Sequence, residues 1–570
     1  MARTIGIGRQ DFEEIRQKNI FYIDKTEFIR EWWESEDSVT LITRPRRFGK
    51  TLNMNMVEKF FSVRYAGREE LFKGLAIWEY EKYRKLQGTY PVINLSFANV
   101  KETDYQTARR KICQILSNLY AEYEFLFDSP VLGERGTRFF RSVSEDMDDA
   151  AATMAIHQLS LYLSKYYQKK VIILLDEYDT PMQEAYVNGY WDKLVSFTRS
   201  MFHSTFKTNP YLERAIMTGV TRISKESIFS DLNNLKVVTT TSEEYKASFG
   251  FTEEEVFSAL DEYELSEQKQ MVKQWYDGFT FGSQKDIYNP WSITNYLDTR
   301  KLAAYWANSS SNRLAGKLIQ KGSKNLKSAF ELLLQGESMT AEIDEQVVYN
   351  QLDDDEQAVW SLLLASGYLR VNHFRSYITG CGEWKQEYEL ALTNFEVKTL
   401  FRIIIKNWFS QASSDYNDFI KALLLGDVDA MNEYMNHVTE SIFSSFDVGK
   451  KASLSQPERF YHGFVLGLMV ELADRYVLTS NRESGFERYD VMLEPLHPDK
   501  DDGMILEFKV FQRKKEKVLE DTVKAALKQI EEKRYEALLT AKGIPKDRIR
   551  KYGFAFRGKD VLIGDKYENI

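Results

Sequence analysis

SVTLITRPRRFGKTLNMNM, residues 38–56, passes from an apolar strand-like run through a basic turn into a helical pattern. A strand, a tight turn and a helix start form the setting in which backbone N–H groups and the positive end of a helix face a phosphate. Arg46, Arg47, Phe48, Gly49, Lys50 and Thr51 therefore read as one phosphate-binding loop. Lys50 would reach the outer phosphates of a nucleotide, and the Thr51 hydroxyl would ligate Mg²⁺. In the usual G-x-x-x-x-G-K-[ST] pattern a glycine opens the loop, because glycine tolerates positive φ and close approach of a phosphate. Here Arg44 stands in that place. FGKT alone is weak evidence, so the reading depends on what the rest of the chain supplies.

Working outward, VIILLDEYD (171–179) is an apolar strand that ends in Asp176 and Glu177. Carboxylates at the end of such a strand lie where α/β sheets bind ligands. Asp176 is expected to hold Mg²⁺ through water and Glu177 to polarise the attacking water, whereas Asp179 reads as a helix cap. ERAIMTGVTRIS (213–224) ends in Thr218, Thr221 and Arg222, and Thr218 and Arg222 suit sensing of a terminal phosphate. With YPVINLSF (90–97) and KVVTTTS (236–242), strands alternate with helical stretches. That alternation predicts an α/β domain with a largely parallel sheet over about residues 1–240.

Beyond residue 240 the strand signals thin out. FTEEEVFSALDEY (251–263), SEQKQMVKQWYDG (266–278) and NPWSITNYL (289–297) read as helices, the first with Thr252 and Glu255 in capping-box spacing. Residues 241–445 are expected to form a helical lid or connector. Within it DDDEQAVWSLLLASGYLRV (353–371) suggests a helix leading into a short strand, and a winged-helix-like element. Strand character returns in ERYDVMLEP (487–495), GMILEFKV (503–510) and KYGFAFRGKDVLIG (551–564), around a helix from about Lys517 to Thr540. This predicts a second α/β domain over residues 446–570. Its turn-rich HPDKDDG lets the first two strands form a hairpin that brings Asp490 and Glu507 together. Alternation puts Glu507 and Lys509 on one strand face. Charges on a half-buried strand are costly unless something compensates them, and a divalent cation would do so.

The net charge of −9 excludes indiscriminate whole-surface binding of nucleic acid but not local basic clefts. The basic clusters are Arg44 to Lys50 and Arg513 to Lys517. No apolar run approaches the ~20 residues of a membrane span. Only Cys113 and Cys381 occur, which excludes a disulfide framework, and the N-terminal residues show no basic-then-apolar signal. A reducing cytoplasm is the expected compartment.

RPRRFGKT (44–51), FYIDKTEFI (21–29), SIFSDLNNL (227–235) and WYDGFTFG (275–282) together resemble the AAA-ATPase-like family, in which a divergent P-loop ATPase precedes a PD-(D/E)XK nuclease domain. The loop without its first glycine is usual there. The resemblance implies ATP and Mg²⁺ as cofactors and a P-loop NTPase domain, a helical connector and a restriction-endonuclease-like α/β domain. It further implies that Asp490 and Glu507 bind the nuclease metal and that Lys509 orients the attacking water. Glu458, in PERFYHGFVLGLM (457–469), resembles the first acidic motif and would be a further metal ligand, with His462 four residues on. Arg488 shares the strand face of Asp490. Gln529 matches the placement of a glutamine motif in related nucleases, but Tyr535 follows it by six residues and departs from Q-x-x-x-Y. The expected partner is nucleic acid, DNA ahead of RNA, with no membrane association and a homo-oligomer left open. Two other functions compete with an ATP-coupled nuclease. One is a nucleotide-dependent switch whose nuclease fold only binds nucleic acid or a protein, the other a defence or signalling ATPase whose helical middle, about 300–440, captures a partner protein.

Overall fold

The computed structural model describes residues 2–565 except 447–471 and short stretches at 208, 223–228, 230–231, 307–312, 322–323, 345–348, 350–351, 353–354, 381, 411–415, 473–474, 481–482, 485–486, 489, 513–514 and 558–559. Two compact units emerge, Met1–Leu314 with Ser338–Lys398, and Ala315–Glu337 with Thr399–Ile570.

In the first unit β1 (Val39–Thr43), β2 (Val92–Ser96), β3 (Val171–Asp176), β4 (Leu212–Gly219) and β5 (Leu235–Val238) form a parallel sheet in the order β2-β3-β4-β1-β5. Every residue of β1 and β3 is buried. A parallel sheet is covered on both faces, so its central strands read as unbroken apolar runs rather than alternating ones. The helix Lys50–Phe61 leaves β1 and buries Met54, Met56, Val57, Phe60 and Phe61. These join Trp32, Phe72 and Ile172 in one core cluster. Because β4 lies between β1 and β3, Thr43 pairs with Gly219 and Leu175 with Met217. The ends of all three strands thus open at one carboxyl edge, the usual ligand edge of such sheets.

Downstream, β6 (Phe251–Thr252), β7 (Phe279–Phe281) and β8 (Gln284–Tyr288) form a small antiparallel sheet. The helix Glu253–Glu262 starts with the capping box read from Thr252 and Glu255. A second sheet joins β9 (Met339–Ala341), before the helix Glu356–Ala365, with β10 (Leu369–Ile378) and β11 (Trp384–Leu392), after it, in the order β10-β11-β9. The connector therefore holds more strand than the sequence reading expected. In β11, buried Tyr388 and Leu390 alternate with more exposed Glu387 and Glu389, a period-two signal overlooked in a helix-rich context.

The second unit contains β12 (Tyr476–Ser480), the two-residue strands β13 (Glu483–Ser484) and β14 (Glu487–Arg488), β15 (Val491–Pro495), β16 (Gly503–Val510), β17 (Ile549–Arg557) and β18 (Asp560–Gly564). Its mixed sheet runs β12-β15-β16-β17-β18. β15 and β16 are antiparallel, while β16 and β17 are parallel. Parallel neighbours need a long crossover, supplied here by the helix Leu519–Glu532. The single helix expected to reach Thr540 breaks at Arg534, whose φ of 50° is left-handed, and resumes as Glu536–Ala541. The outer edge of β18 is closed by two asparagines of the helix Val428–Phe446. Asn432 Nδ2 donates to Ile563 O at 2.9 Å, and Ile563 N donates back to Asn432 Oδ1 at 2.7 Å. Asn436 makes the same exchange with Val561 at 2.8 and 3.0 Å.

Candidate functional site

The loop read as phosphate-binding, between β1 and the helix Lys50–Phe61, takes its shape from two left-handed residues, Arg47 at φ 67° and Gly49 at φ 81°. Arg44, in the place of the absent glycine, is not among the positive-φ residues, so a side chain there is unstrained. That side chain turns away from the loop opening and is wholly buried. Its Nη1 donates to Thr43 O at 2.9 Å and Thr239 O at 2.6 Å, and the guanidinium lies 4.6 Å over the Phe281 ring. Arg44 thus ties the end of β1 to the segment after β5.

Lys50 is buried, and its ammonium donates to the carbonyls of Arg44 and Pro45, both at 3.0 Å, with Glu177 Oε1 3.7 Å away. Thr51 Oγ1 donates to Asp176 Oδ2 at 2.7 Å, and Thr218 Oγ1 donates to Asp176 Oδ1. Asp176 is thereby gripped between the loop helix and β4. Burial, reinforced by Glu177, pushes the Asp176 carboxyl above its ordinary value despite both hydroxyls and Lys50. For Glu177, burial pushes in the same direction, but Lys50, the Thr180 hydroxyl, Arg46 and Lys101 outweigh it and hold the carboxyl below its ordinary value. Glu177 sits at φ 55°, a sparsely populated conformation that turns it toward Lys50 and Thr180. A buried carboxylate beside a hydroxyl is a set of hard oxygen donors, and the pressure on Asp176 to stay protonated is what a nearby cation would relieve. The residues present therefore fit Mg²⁺.

These groups line a cavity of about 800 Å³, whose walls include Arg46, Arg47, Phe48, Gly49, Asn53, Lys101 and the N-terminal Gly6 to Gln10. Thr218 lies below the floor and acts through Asp176. Arg222 is not among the wall residues. Asp179 does not cap the helix Thr180–Asn188 with its side chain. Asp179 does stand at the N-cap position of that helix, as read, but its Oδ2 accepts from Val220 N at 2.9 Å, Thr221 N at 2.8 Å and Thr221 Oγ1 at 2.9 Å: the turn after β4 offers three buried donors, and Asp179 satisfies them.

The loop's supports were missed in the sequence. Phe48 packs edge-on against Phe279 and Phe281, with ring centroids 4.7 and 5.4 Å away. Gly250, at φ 81°, comes so close that a Cβ would stand 3.0 Å from the Phe48 ring. The Arg46 carbonyl accepts from Trp306 Nε1 at 3.0 Å and Asn289 Nδ2 at 3.3 Å. Asn289 also caps the helix Pro290–Thr299 through Trp291 N and Ser292 N. Arg47 lies 4.1 Å over Trp291. Glu396, wholly buried, accepts from Trp306 N at 2.6 Å and Ser292 Oγ at 2.8 Å. The one legible signal was Asn-Pro at 289–290, a helix start whose cap side chain has a donor to spare.

In the second unit Val491 pairs with Leu506, so Asp490 and Glu507 come side by side. Asp490 Oδ2 accepts from Phe508 N at 2.8 Å. Gln529 bridges the strand face: its Nε2 donates to Glu507 Oε1, and its Oε1 accepts from Lys509 Nζ at 2.6 Å. Tyr535 OH lies 3.4 Å from Gln529 Nε2, because the helix break brings it back despite the six-residue interval. Adjacent carboxylates with an ammonium held beside them fit a divalent cation and its water. Arg488 lies in β14. Glu458 and His462 lie outside the described residues.

The first unit's strand order, with a phosphate loop after β1 and carboxylates after β3, defines the P-loop nucleotide-binding class, and the second unit's mixed sheet is restriction-endonuclease-like. Residues 6–229 match the family model of the predicted AAA-ATPases (AAA-ATPase-like), and residues 456–566 match that of the PD-(D/E)XK nuclease superfamily, so the chain joins the two kinds of domain. It is also similar to an uncharacterized protein in the vnfD 5′ region of Azotobacter chroococcum mcd 1, 26% identical over 309 residues, 53% of this chain and 54% of that protein. The chain thus spans about half the length of this relative. No helix among the described residues is long and apolar enough to cross a membrane.

Proposed function

We propose that the chain binds ATP with Mg²⁺ at the phosphate loop, hydrolyses it, and couples the cycle to metal-dependent cleavage of nucleic-acid phosphodiesters in the C-terminal unit. The observation that carries the reading is the meeting of Lys50, Thr51, Asp176 and Glu177 in one cavity. Thr51 and Asp176 would hold the cation, which when bound neutralises charge on the transferred phosphoryl group. Lys50 exchanges its two loop carbonyls for phosphate oxygens. Arg46, Arg47 and the loop N–H groups orient the phosphates, and Glu177 accepts a hydrogen bond from the attacking water. Thr218 keeps the Asp176 carboxylate turned toward Thr51.

In the C-terminal unit Asp490 and Glu507 would ligate the cation, which activates water and offsets charge at the scissile phosphate. Gln529 fixes Glu507 and Lys509 relative to each other, and Lys509 polarises the water. Cleavage of circular and linear DNA, single-stranded DNA and RNA, each with and without ATP and with EDTA, tests the whole reading. EDTA-sensitive products that increase with ATP are expected. ATP turnover without cleavage of any substrate would favour the nucleotide-dependent switch.

A further inference from the structure

Behind the phosphate loop, a row of polar groups runs from Arg46 to the turn after β4, and beyond Arg46 itself the chemistry proposed above does not use it. Arg46 Nη2 donates to Gln183 Oε1 at 2.8 Å. The Gln183 amide also lies close enough to the Tyr349 phenol to offset part of the rise that burial gives its pKa. The phenol oxygen lies 3.0 Å from Thr221 Oγ1, which lies 2.9 Å from Asp179 Oδ2. Tyr349, Thr221 and Asp179 are wholly buried.

Donor and acceptor chemistry fixes the direction of this row. A guanidinium only donates, so the amide oxygen of Gln183 is engaged by Arg46 and its NH₂ faces the phenol. The one proton of Thr221 goes to Asp179, so the phenol proton goes to Thr221. Every hydrogen points from Arg46 toward Asp179, and removing any member leaves a buried neighbour unsatisfied. The row also spans parts of the chain far apart in sequence. Tyr349 belongs to the 338–398 part of the first unit, beyond the residues matched by the ATPase family model. It packs on Tyr186 and Trp191, with ring centroids 5.5 and 5.3 Å away. At the other end Asp179 fixes Val220 and Thr221, just past the Thr218 that holds Asp176.

We propose that Gln183 and Tyr349 are positioning residues that link the phosphate loop to the end of β4, and thereby pass the nucleotide state to the segment 338–398. The proposal rests on the reading of the loop as an ATP-hydrolysing site. When Arg46 turns to a phosphate, Gln183 loses its charged donor and the row no longer has a fixed direction. The turn carrying Thr221 and the connector's Tyr349 then respond together.

The test compares the full chain with Tyr349→Phe, Gln183→Leu, their double variant and Lys50→Ala. ATP hydrolysis, binding of a fluorescent ATP analogue, and hydrogen exchange of 338–398 with and without ATP are measured. Tyr349→Phe keeps the ring packing and removes only the hydroxyl. Each single variant should lower kcat about tenfold while leaving KM within about threefold, and the double should fall no further, because one cut already opens the row. The ATP-dependent change in exchange across 338–398 should disappear in all three. Parental kcat in both single variants, a double effect equal to the product of the singles, or a lowered melting temperature with unchanged kcat overturns the relay while the phosphate-site reading stands. A parent that neither binds nor hydrolyses ATP, indistinguishable from Lys50→Ala, overturns the phosphate-site reading and the relay with it.

Discussion

The two polar sites differ in how far along the chain their supports lie. Asp490, Glu507, Lys509, Gln529 and Tyr535 come from one hairpin and the helices that follow it, and the hydrogen bonds described within that segment join residues no more than 22 positions apart. The phosphate loop is held from much farther away: Asn289 and Trp306 reach the Arg46 carbonyl across 243 and 260 positions. A site built from contiguous elements carries its geometry in local pattern. The loop keeps its shape without the opening glycine because tertiary contacts, at Arg44, Phe48 and the Arg46 carbonyl, do what a flexible residue otherwise permits.

The sharpest way to break the comparison is at the chemistry itself. Lys50→Ala should lower ATP hydrolysis by at least about a hundredfold, since it removes a preorganised charge aimed at the phosphates. Glu177→Gln should keep ATP binding and lose turnover. A steady-state phosphate-release assay beside a binding titration separates the two, and parental hydrolysis in Lys50→Ala would sink the assignment of the loop.

Asp490→Ala and Glu507→Ala should each abolish metal-dependent cleavage while ATP hydrolysis stays within about twofold, because the two polar clusters share no residue. Lys509→Ala and Gln529→Ala should retain metal binding by calorimetry and cleave about 10- to 100-fold more slowly. Undiminished cleavage in Asp490→Ala contradicts the nuclease reading.

A smaller effect tests the long-range supports. Trp306→Phe removes the indole donor to Arg46 O and should cost about 1–3 kcal/mol in urea unfolding, with a several-fold rise in KM for ATP. Cleavage chemistry in the presence of saturating ATP should be unaffected. An unchanged KM would mean that the loop holds itself.

The smallest effect concerns pH. Asp277 lies between the helix Lys269–Tyr276 and β7, two residues before the Phe279 that packs on Phe48. Burial, with a hydrogen bond and repulsion from Asp286, pushes its carboxyl up to about 7, against Lys273. The folded protein therefore holds a proton that the unfolded chain releases near its ordinary value of 3.8. The associated stability is full below that value and is lost as pH rises through about 7. Asp277→Asn should flatten the decline in urea midpoint between pH 5 and pH 8, buffer conditions chosen to bracket about 7. A parallel decline in both proteins assigns the pH effect elsewhere.

Much of the fold was legible because its signals are local. VIILLD and VTLIT are unbroken apolar runs, and Thr252 with Glu255 predicts a capping box that the structure contains. The β15–β16 hairpin follows from a turn-rich interval, and the proximity of Asp490 and Glu507 follows from the hairpin. Asp179 stands at the cap position as read, but its side chain's partners were not legible, since the three donors of the Val220–Thr221 turn are visible only once β4 lies beside β3. Gln529 and Tyr535 looked mismatched because helix periodicity was assumed to continue through Arg534. Glu396 and Trp306 had no local signal, since their partners lie in other elements.

The asparagine clasp on β18 has a kinetic consequence. It joins Asn432 to Ile563 and Asn436 to Val561, so it cannot form until nearly the whole described chain has been synthesised. The first unit's parallel sheet, by contrast, has all its strands once Val238 has emerged. During vectorial synthesis the ATPase-like sheet can therefore close early, while β17 waits with an unpaired edge for β18 and then for the clasp. An unpaired edge invites pairing with another chain. The interval between the emergence of β17 and the docking of Asn432 and Asn436 is thus one in which this edge stays open to misassembly, and slowing translation there should change the yield of folded chain.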